Sequence, residues 1–180
     1  KAPFLVLDDA DIDAAVDAAI FGAFFNQGQI CMSTERVIVD QRIADAFVDK
    51  FAARAKALKA GDPRDKSHAL GTLINPASGE KLNSLIEDAV DKGAHLAAGG
   101  KAAGVVMQAT VIDGVTSDMR LYSEESFGPI VAVIRVEGEE EAIRIANDSE
   151  YGLSSAVFSR DSARAMKVAG RLQTGICHIN

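Results

Sequence analysis

Two short stretches hold residue types from which chemistry could be built. Phe25 to Thr34 reads FNQGQICMST, a cysteine in a small polar turn beyond an apolar helical run. Glu124 to Pro129 reads EESFGP, two acids beside an aromatic residue and a glycine. A lone cysteine is by default a small buried hydrophobe. The neighbours of Cys31, however, include Asn26, Gln27, Gly28, Gln29, Ser33 and Thr34, which form no apolar face. Glycine lets backbone approach a ligand closely, and N–H groups in such a turn can stabilise an oxyanion. EESFGP taken alone is a solvated acidic loop. Spacing by itself leaves Cys31 open between a packing residue and a nucleophile.

The longer segments narrow this. FFNQGQICMSTERVIV resembles the active-site cysteine segment of the aldehyde dehydrogenase superfamily, whose core pattern is F-x-N-x-G-Q-x-C; Phe24, Asn26, Gly28, Gln29 and Cys31 fill it. EESFGP resembles the E-x-F-G-P motif of the same family, with Glu125 and Phe127 at the positions that hold the nicotinamide ribose and ring. The opening KAPFLVLDDADIDAAV is similar to the stretch after the family's E-L-G-G-K, with Lys1 as its last residue. The resemblance runs through the chain in register. QICMSTER further resembles the branch acting on aromatic aldehydes such as salicylaldehyde and vanillin, and Ile30 and Met32, flanking the cysteine, are then expected at the aldehyde pocket.

The resemblance implies an NAD(P)-dependent oxidation of an aldehyde to a carboxylic acid. A Cys31 thiolate would add to the carbonyl, giving a thiohemiacetal. The Cys31 backbone N–H, with a side-chain amide from elsewhere, would hold its oxygen. Hydride would pass to NAD or NADP, and water would hydrolyse the thioester with a general base. Glu125 would accept hydrogen bonds from the ribose hydroxyls, and Phe127 would offer an apolar face. The family's general-base glutamate lies in E-L-G-G, ahead of Lys1, and its oxyanion asparagine further upstream. Residues 1–180 are therefore expected to be the nucleophile-bearing catalytic domain, without the upstream cofactor-binding domain and the downstream oligomerisation strand. No G-x-G-x-x-G occurs, and Gly99, Gly100 and Gly104 do not fit its spacing.

The elements that must position these residues alternate. Asp9 to Phe25 has helical spacing, with acids in its first turns. ERVIVD is a short β-branched strand; Ile43 to Leu58 and Ala77 to Lys92 are helices, the second with Leu82, Leu85, Ile86, Ala89 and Val90 on one face and Gly93 as its stop. Gly61 to Leu73 is a loop. AHLAA, MQATVID and IVAVIRV read as strands, Glu139 to Asn147 as a helix, SSAVFS as a strand, Ala163 to Leu172 as a helix and GICHIN as a strand. The fold class is α/β, a mostly parallel sheet covered by helices on both faces.

Bulk properties bound the function. At 180 residues, with 48% hydrophobic and 25% charged, the chain is one domain of ordinary globular composition. A net charge of −7 argues against a nucleic-acid partner. No apolar run is long enough to span a bilayer and no signal peptide opens the chain, so a cytoplasmic location is expected. Two cysteines make no disulfide framework or metal-ligand set, and Cys177, in an apolar segment, reads as packing. His68, His95 and His178 are scattered singly. A start on Lys1 and a stop directly after ICHI are expected to be unnatural ends. The expected partner is a small aldehyde, with the intact protein a homo-oligomer. Two other classes stay open, a cysteine hydrolase or acyl-transfer domain and a non-catalytic structural module.

Overall fold

In the computed structural model, which describes residues 1–180, the strands sort their apolar side chains with a period of two. In β2 (Thr34–Asp40), Val37 and Val39 face one core and Ile38 the other. β5 (Ile130–Val136) sends Ile130, Ala132, Ile134 and Val136 to one side and Val131 and Val133 to the opposite side. β1 (Ala2–Val6) puts Leu5 on one face and Phe4 and Val6 on the other. Strands apolar on both faces need helices on both, and they have them. α1 (Ile12–Phe24) and α2 (Gln41–Ala57) cover one face. α3 (Pro76–Asp91), α5 (Gly138–Asn147) and α6 (Ser162–Ala169) cover the other.

With β3 (His95–Ala98), β4 (Thr110–Asp113), β6 (Ser154–Phe158) and β7 (Ile176–Ile179) the sheet has seven strands, in the order β3-β4-β5-β2-β1-β6-β7. Only β3 and β4 pair antiparallel; the other pairs are parallel. The expected α/β class is the observed one. No helix is long and apolar enough to cross a membrane.

Several boundaries differ from the sequence reading, each for a local reason. α1 begins at Ile12 rather than Asp9 because the Asp11 carboxylate caps it, accepting from the N–H groups of Asp13 and Ala14. The opening PFLVL supplies most of the buried strand β1. MQATVID narrows to Thr110–Asp113. The last helix stops at Ala169, ahead of Gly170. Val90 is 43% exposed, off the buried face of α3 to which its spacing assigned it. A short helix, α4 (Arg120–Ser123), was not foreseen; it fills the approach to EESFGP.

Candidate functional site

The cysteine turn is built by an abrupt end to α1. After Phe24 the backbone enters a 3-10 turn, Phe25–Gly28, with Asn26, Gln27 and Gly28 all left-handed at φ 50°, 58° and 65°. Two of these are not glycine, and a non-glycine residue held there costs of order 1–3 kcal/mol unless its surroundings enforce it. Gly28 has a second reason to be glycine: a Cβ on it would stand 2.3 Å from the carbonyl oxygen of Gly128. The FNQG turn and the EESFGP loop therefore touch, backbone to backbone. Gln29 ties the turn to the loop before α3, donating to the Thr72 carbonyl at 3.3 Å and accepting the Ile74 N–H at 3.0 Å. The Ser33 N–H then closes on the Ile30 carbonyl at 2.9 Å, leaving Cys31 and Met32 as the exposed centre of the turn. The Cys31 N–H makes no hydrogen bond within the chain.

All of this lies at the amino ends of the parallel strands. Lys1 precedes β1, Cys31 precedes β2, Glu125–Gly128 precedes β5 and Gly152–Leu153 precedes β6. Open α/β sheets usually hold ligands at the carboxyl ends. Here the segment after β1 is instead occupied by ion pairs: Arg164 meets Asp8 at 2.9 Å and Asp9 at 3.0 Å, and Arg42 meets Asp8 at 3.0 Å.

The EESFGP loop is held from several sides. The Glu35 carboxylate, from β2, accepts the Ser126 N–H at 3.0 Å and the Phe127 N–H at 3.3 Å, and pairs with the Lys1 ammonium at 2.6 Å. Burial raises its pKa, but the Lys1 charge and the two N–H donors outweigh that and hold Glu35 below the usual carboxylate range. Lys81 of α3 donates to the Glu125 carbonyl at 2.7 Å. Glu125 itself is half-buried, with its carboxylate 3.8 Å from the Lys1 backbone nitrogen. Phe127 is 40% exposed and left-handed, at φ 49°. A large apolar ring that is both exposed and conformationally strained suits a ligand contact better than a packing role.

Two hollows meet near Ala2, Pro3 and Ser154. A narrow cleft beside Cys31 is walled by Lys1, Pro3, Tyr151 and Gly152. A groove of about 550 Å³ runs along α1, lined by Phe21, Phe25, Ile30 and Met32 against Phe4 and Phe158. Phe21 and Phe25, one helical turn apart, stack at 5.1 Å and stand 66% and 58% exposed. The arrangement offers a solvent-facing thiol, an unpaired N–H beside it, an apolar trough on one side and a carboxylate–aromatic pair on the other. It suits attack on an electrophilic carbon whose apolar substituent lies in the trough. A ligand with vicinal hydroxyls and a flat ring would find its acceptor in Glu125 and its contact in Phe127.

Of the residues singled out from sequence, Cys31, Ile30 and Met32 share one turn, and Glu125 and Phe127 share the loop that turn touches. Cys177 is half-buried on the edge strand β7, packed against the core. Phe21 and Phe25 were overlooked, although two aromatics spaced i, i+4 at the end of a helix were visible. Glu35 and Arg36 were overlooked as well; two adjacent charges inside a β-branched strand were the available signal, since charges are buried only when paired.

The sequence profile of the aldehyde dehydrogenase family matches residues 1–180. Vanillin dehydrogenase of Pseudomonas fluorescens is 59% identical over 180 residues, all of this chain and 37% of that protein. A salicylaldehyde dehydrogenase from Pseudomonas putida G7, solved in complex with salicylaldehyde, superposes with a TM-score of 0.97 at 57% identity, over 99% of this chain and 37% of that one. Betaine aldehyde dehydrogenase from Staphylococcus aureus, in complex with NAD+, superposes with a TM-score of 0.94 at 38% identity, over 99% of this chain and 37% of the other. The chain thus spans a little over a third of the length of the relatives it matches.

Proposed function

Because the chain belongs to the aldehyde dehydrogenase family, we propose that it is the nucleophile-bearing catalytic domain of an NAD(P)-dependent enzyme that oxidises an aromatic aldehyde to its carboxylic acid. The observation that carries this reading is the contact between the exposed Cys31 turn and the Glu125–Phe127 loop, made where Gly28 and Gly128 meet. The thiol and the Glu125–Phe127 carboxylate–aromatic pair then lie together at the amino ends of the adjacent strands β2 and β5, which supports a shared site. The rest of the relatives' length would supply the general base, an oxyanion amide and most of the dinucleotide site. A homo-oligomeric, cytoplasmic enzyme is part of the same proposal and rests on family membership alone.

In this reading the Cys31 sulfur, as thiolate, forms a bond to the aldehyde carbon, and the carbonyl oxygen takes the negative charge. The Cys31 N–H, without an acceptor in the chain, is available to that oxygen. Glu125 would accept from the ribose hydroxyls and Phe127 would back the nicotinamide ring. A bound nicotinamide would supply the hydride acceptor, so that loss of hydride from the carbon would leave the Cys31 adduct as a thioester. Water then releases the acid and returns the thiol.

The relatives that act on vanillin and salicylaldehyde support an aromatic substrate. So does the groove, since Ile30, Met32 and the stacked Phe21–Phe25 pair present flat and polarisable surface to a ring. In the full-length protein, benzaldehyde-type substrates are expected to exceed acetaldehyde in kcat/KM by about tenfold or more, which is about 1.4 kcal/mol of transition-state binding. NADH formation over a panel of aromatic and aliphatic aldehydes measures this. Equal efficiency on acetaldehyde would remove the aromatic assignment and leave the aldehyde oxidation standing.

A further inference from the structure

Glu35 takes no part in the chemistry proposed above, yet it is the most deeply placed carboxylate near the site, with its side chain 6% exposed. It stands in β2, four residues beyond Cys31. Its oxygens receive the Lys1 ammonium at 2.6 Å, the Ser126 N–H at 3.0 and 3.1 Å, and the Phe127 N–H at 3.3 Å. Lys81 holds the neighbouring Glu125 carbonyl, but the Ser126 and Phe127 amides have no acceptor in the chain other than Glu35. The Ser126 hydroxyl is buried without a partner, so Ser126 is secured through its N–H to Glu35. Phe127 keeps a left-handed backbone that an unrestrained residue of its type would leave. Gly128 is fixed by packing, since a Cβ there would stand 2.3 Å from Leu82, and its carbonyl abuts Gly28 of the cysteine turn. Residues on both sides of Phe127 are thus set by contacts, and the carboxylate fixes the two amides between them.

We propose that Glu35 is a positioning residue: anchored by Lys1, its carboxylate grips the Ser126 and Phe127 amides and so holds Glu125 and Phe127 in register with the Cys31 turn, presenting them to the nicotinamide–ribose half of the cofactor. The inference rests on the cofactor role given to Glu125 and Phe127 in the preceding section. One carboxylate oxygen accepts both amides and the other takes the Lys1 ammonium, so a glutamine could keep the grip, whereas a methionine fills a similar volume and has no oxygen to accept either N–H. It also leaves the Lys1 ammonium buried without its counter-charge, which lowers stability whatever the loop does. Replacing Lys1 by methionine in the same protein removes that stranded charge without restoring the grip on the loop. The pair of variants therefore separates architecture from positioning.

The test uses the full-length protein as wild type, Glu35→Met and Lys1→Met/Glu35→Met. Melting temperature, amide exchange of the peptide holding Ser126 and Phe127, and KM for NAD+ and for the aldehyde are measured on each. Both variants are expected to exchange those two amides about tenfold faster or more and to raise KM for NAD+ about tenfold, with the aldehyde KM within about twofold. The double variant should recover melting temperature relative to Glu35→Met. Unchanged exchange at Ser126 and Phe127 overturns the proposal. So does an unchanged KM for NAD+, or a double variant that regains both stability and cofactor affinity. A wild type that never reduces NAD+ or NADP+ with any aldehyde refutes the functional reading itself, and that result is visible without either variant.

Discussion

Cys31 and Cys177 are the chain's two thiols, and their settings differ in a way that reagents can read. Cys31 is exposed at the centre of a turn, while Cys177 is half-buried on β7 with its sulfur directed toward the His178 carbonyl. Iodoacetamide labelling followed by peptide mass spectrometry should therefore modify Cys31 much faster than Cys177; the reverse order would count against a nucleophilic Cys31. At Glu125 the expected effect is on cofactor use. Glu125→Gln keeps the size but weakens charge-assisted hydrogen bonds to the ribose, each worth about 1.5–3 kcal/mol. Single-turnover NADH formation in the full-length protein should slow while Cys31 labelling stays unchanged. A variant that forms NADH at the wild-type rate would take Glu125 out of the cofactor site. Cys31, Glu125 and Phe127 can be singled out from the sequence because each sits in a short contiguous pattern. Glu35 was not, because what makes it matter is remote: its partners Lys1 and Ser126 lie 34 and 91 residues away. A strand pattern says which face a residue takes, not which loop will come to meet it.

At the scale of elements, the segments carrying the site are connections at the amino ends of β1, β2, β5 and β6, and rigid neighbours hold them. One such support is the buried Arg36, next to Glu35 in β2. Its guanidinium donates to the carbonyls of Ile145 and Ala146 at 3.0 and 2.9 Å, closing the end of α5, and lies 5.7 Å from the centre of the Tyr122 ring. The Tyr122 hydroxyl donates to Asp148 at 2.7 Å. Burial, then that hydrogen bond, pushes the Tyr122 pKa from 10.0 up to about 12. A phenol whose folded pKa is raised contributes stability that is complete below pH 10 and is lost as pH rises through about 12. Urea unfolding across that range should show wild type losing on the order of 1 kcal/mol more than Tyr122→Phe, because solvent beside the part-buried hydroxyl screens part of the full effect. Parallel pH curves for the two proteins would contradict the burial and pairing of this hydroxyl. Most elements were legible from periodicity, with errors where a local device intervened. The Asp11 cap set the start of α1 and Gly170 followed the end of α6. α4 is one turn long, too short to show a period, and owes its place to Leu121 and Tyr122 packing into the core.

For the molecule as a whole, the sheet separates two cores, and that division was legible because strands apolar on both faces require cover on both. The end of the strands that would hold the chemistry was not legible, since it depends on how the FNQG turn and the EESFGP loop come to lie against each other. With the chain spanning 37% of the relatives' length, the reaction proposed belongs to the full-length protein, and in that proposal this chain supplies the thiol and one wall of the cofactor site. The central claim is that the thiol of Cys31 forms the covalent bond through which an aldehyde is oxidised. Its most direct test is rapid-mixing measurement of NADH formation by full-length wild type and Cys31→Ala, with an aromatic aldehyde and NAD+, alongside their melting temperatures. Wild type should form NADH in the first turnover, whereas Cys31→Ala should form none above background and melt within about 2 °C of wild type, because an exposed thiol contributes little packing. Aldehyde-dependent NADH formation by Cys31→Ala at a rate near that of wild type would contradict the claim.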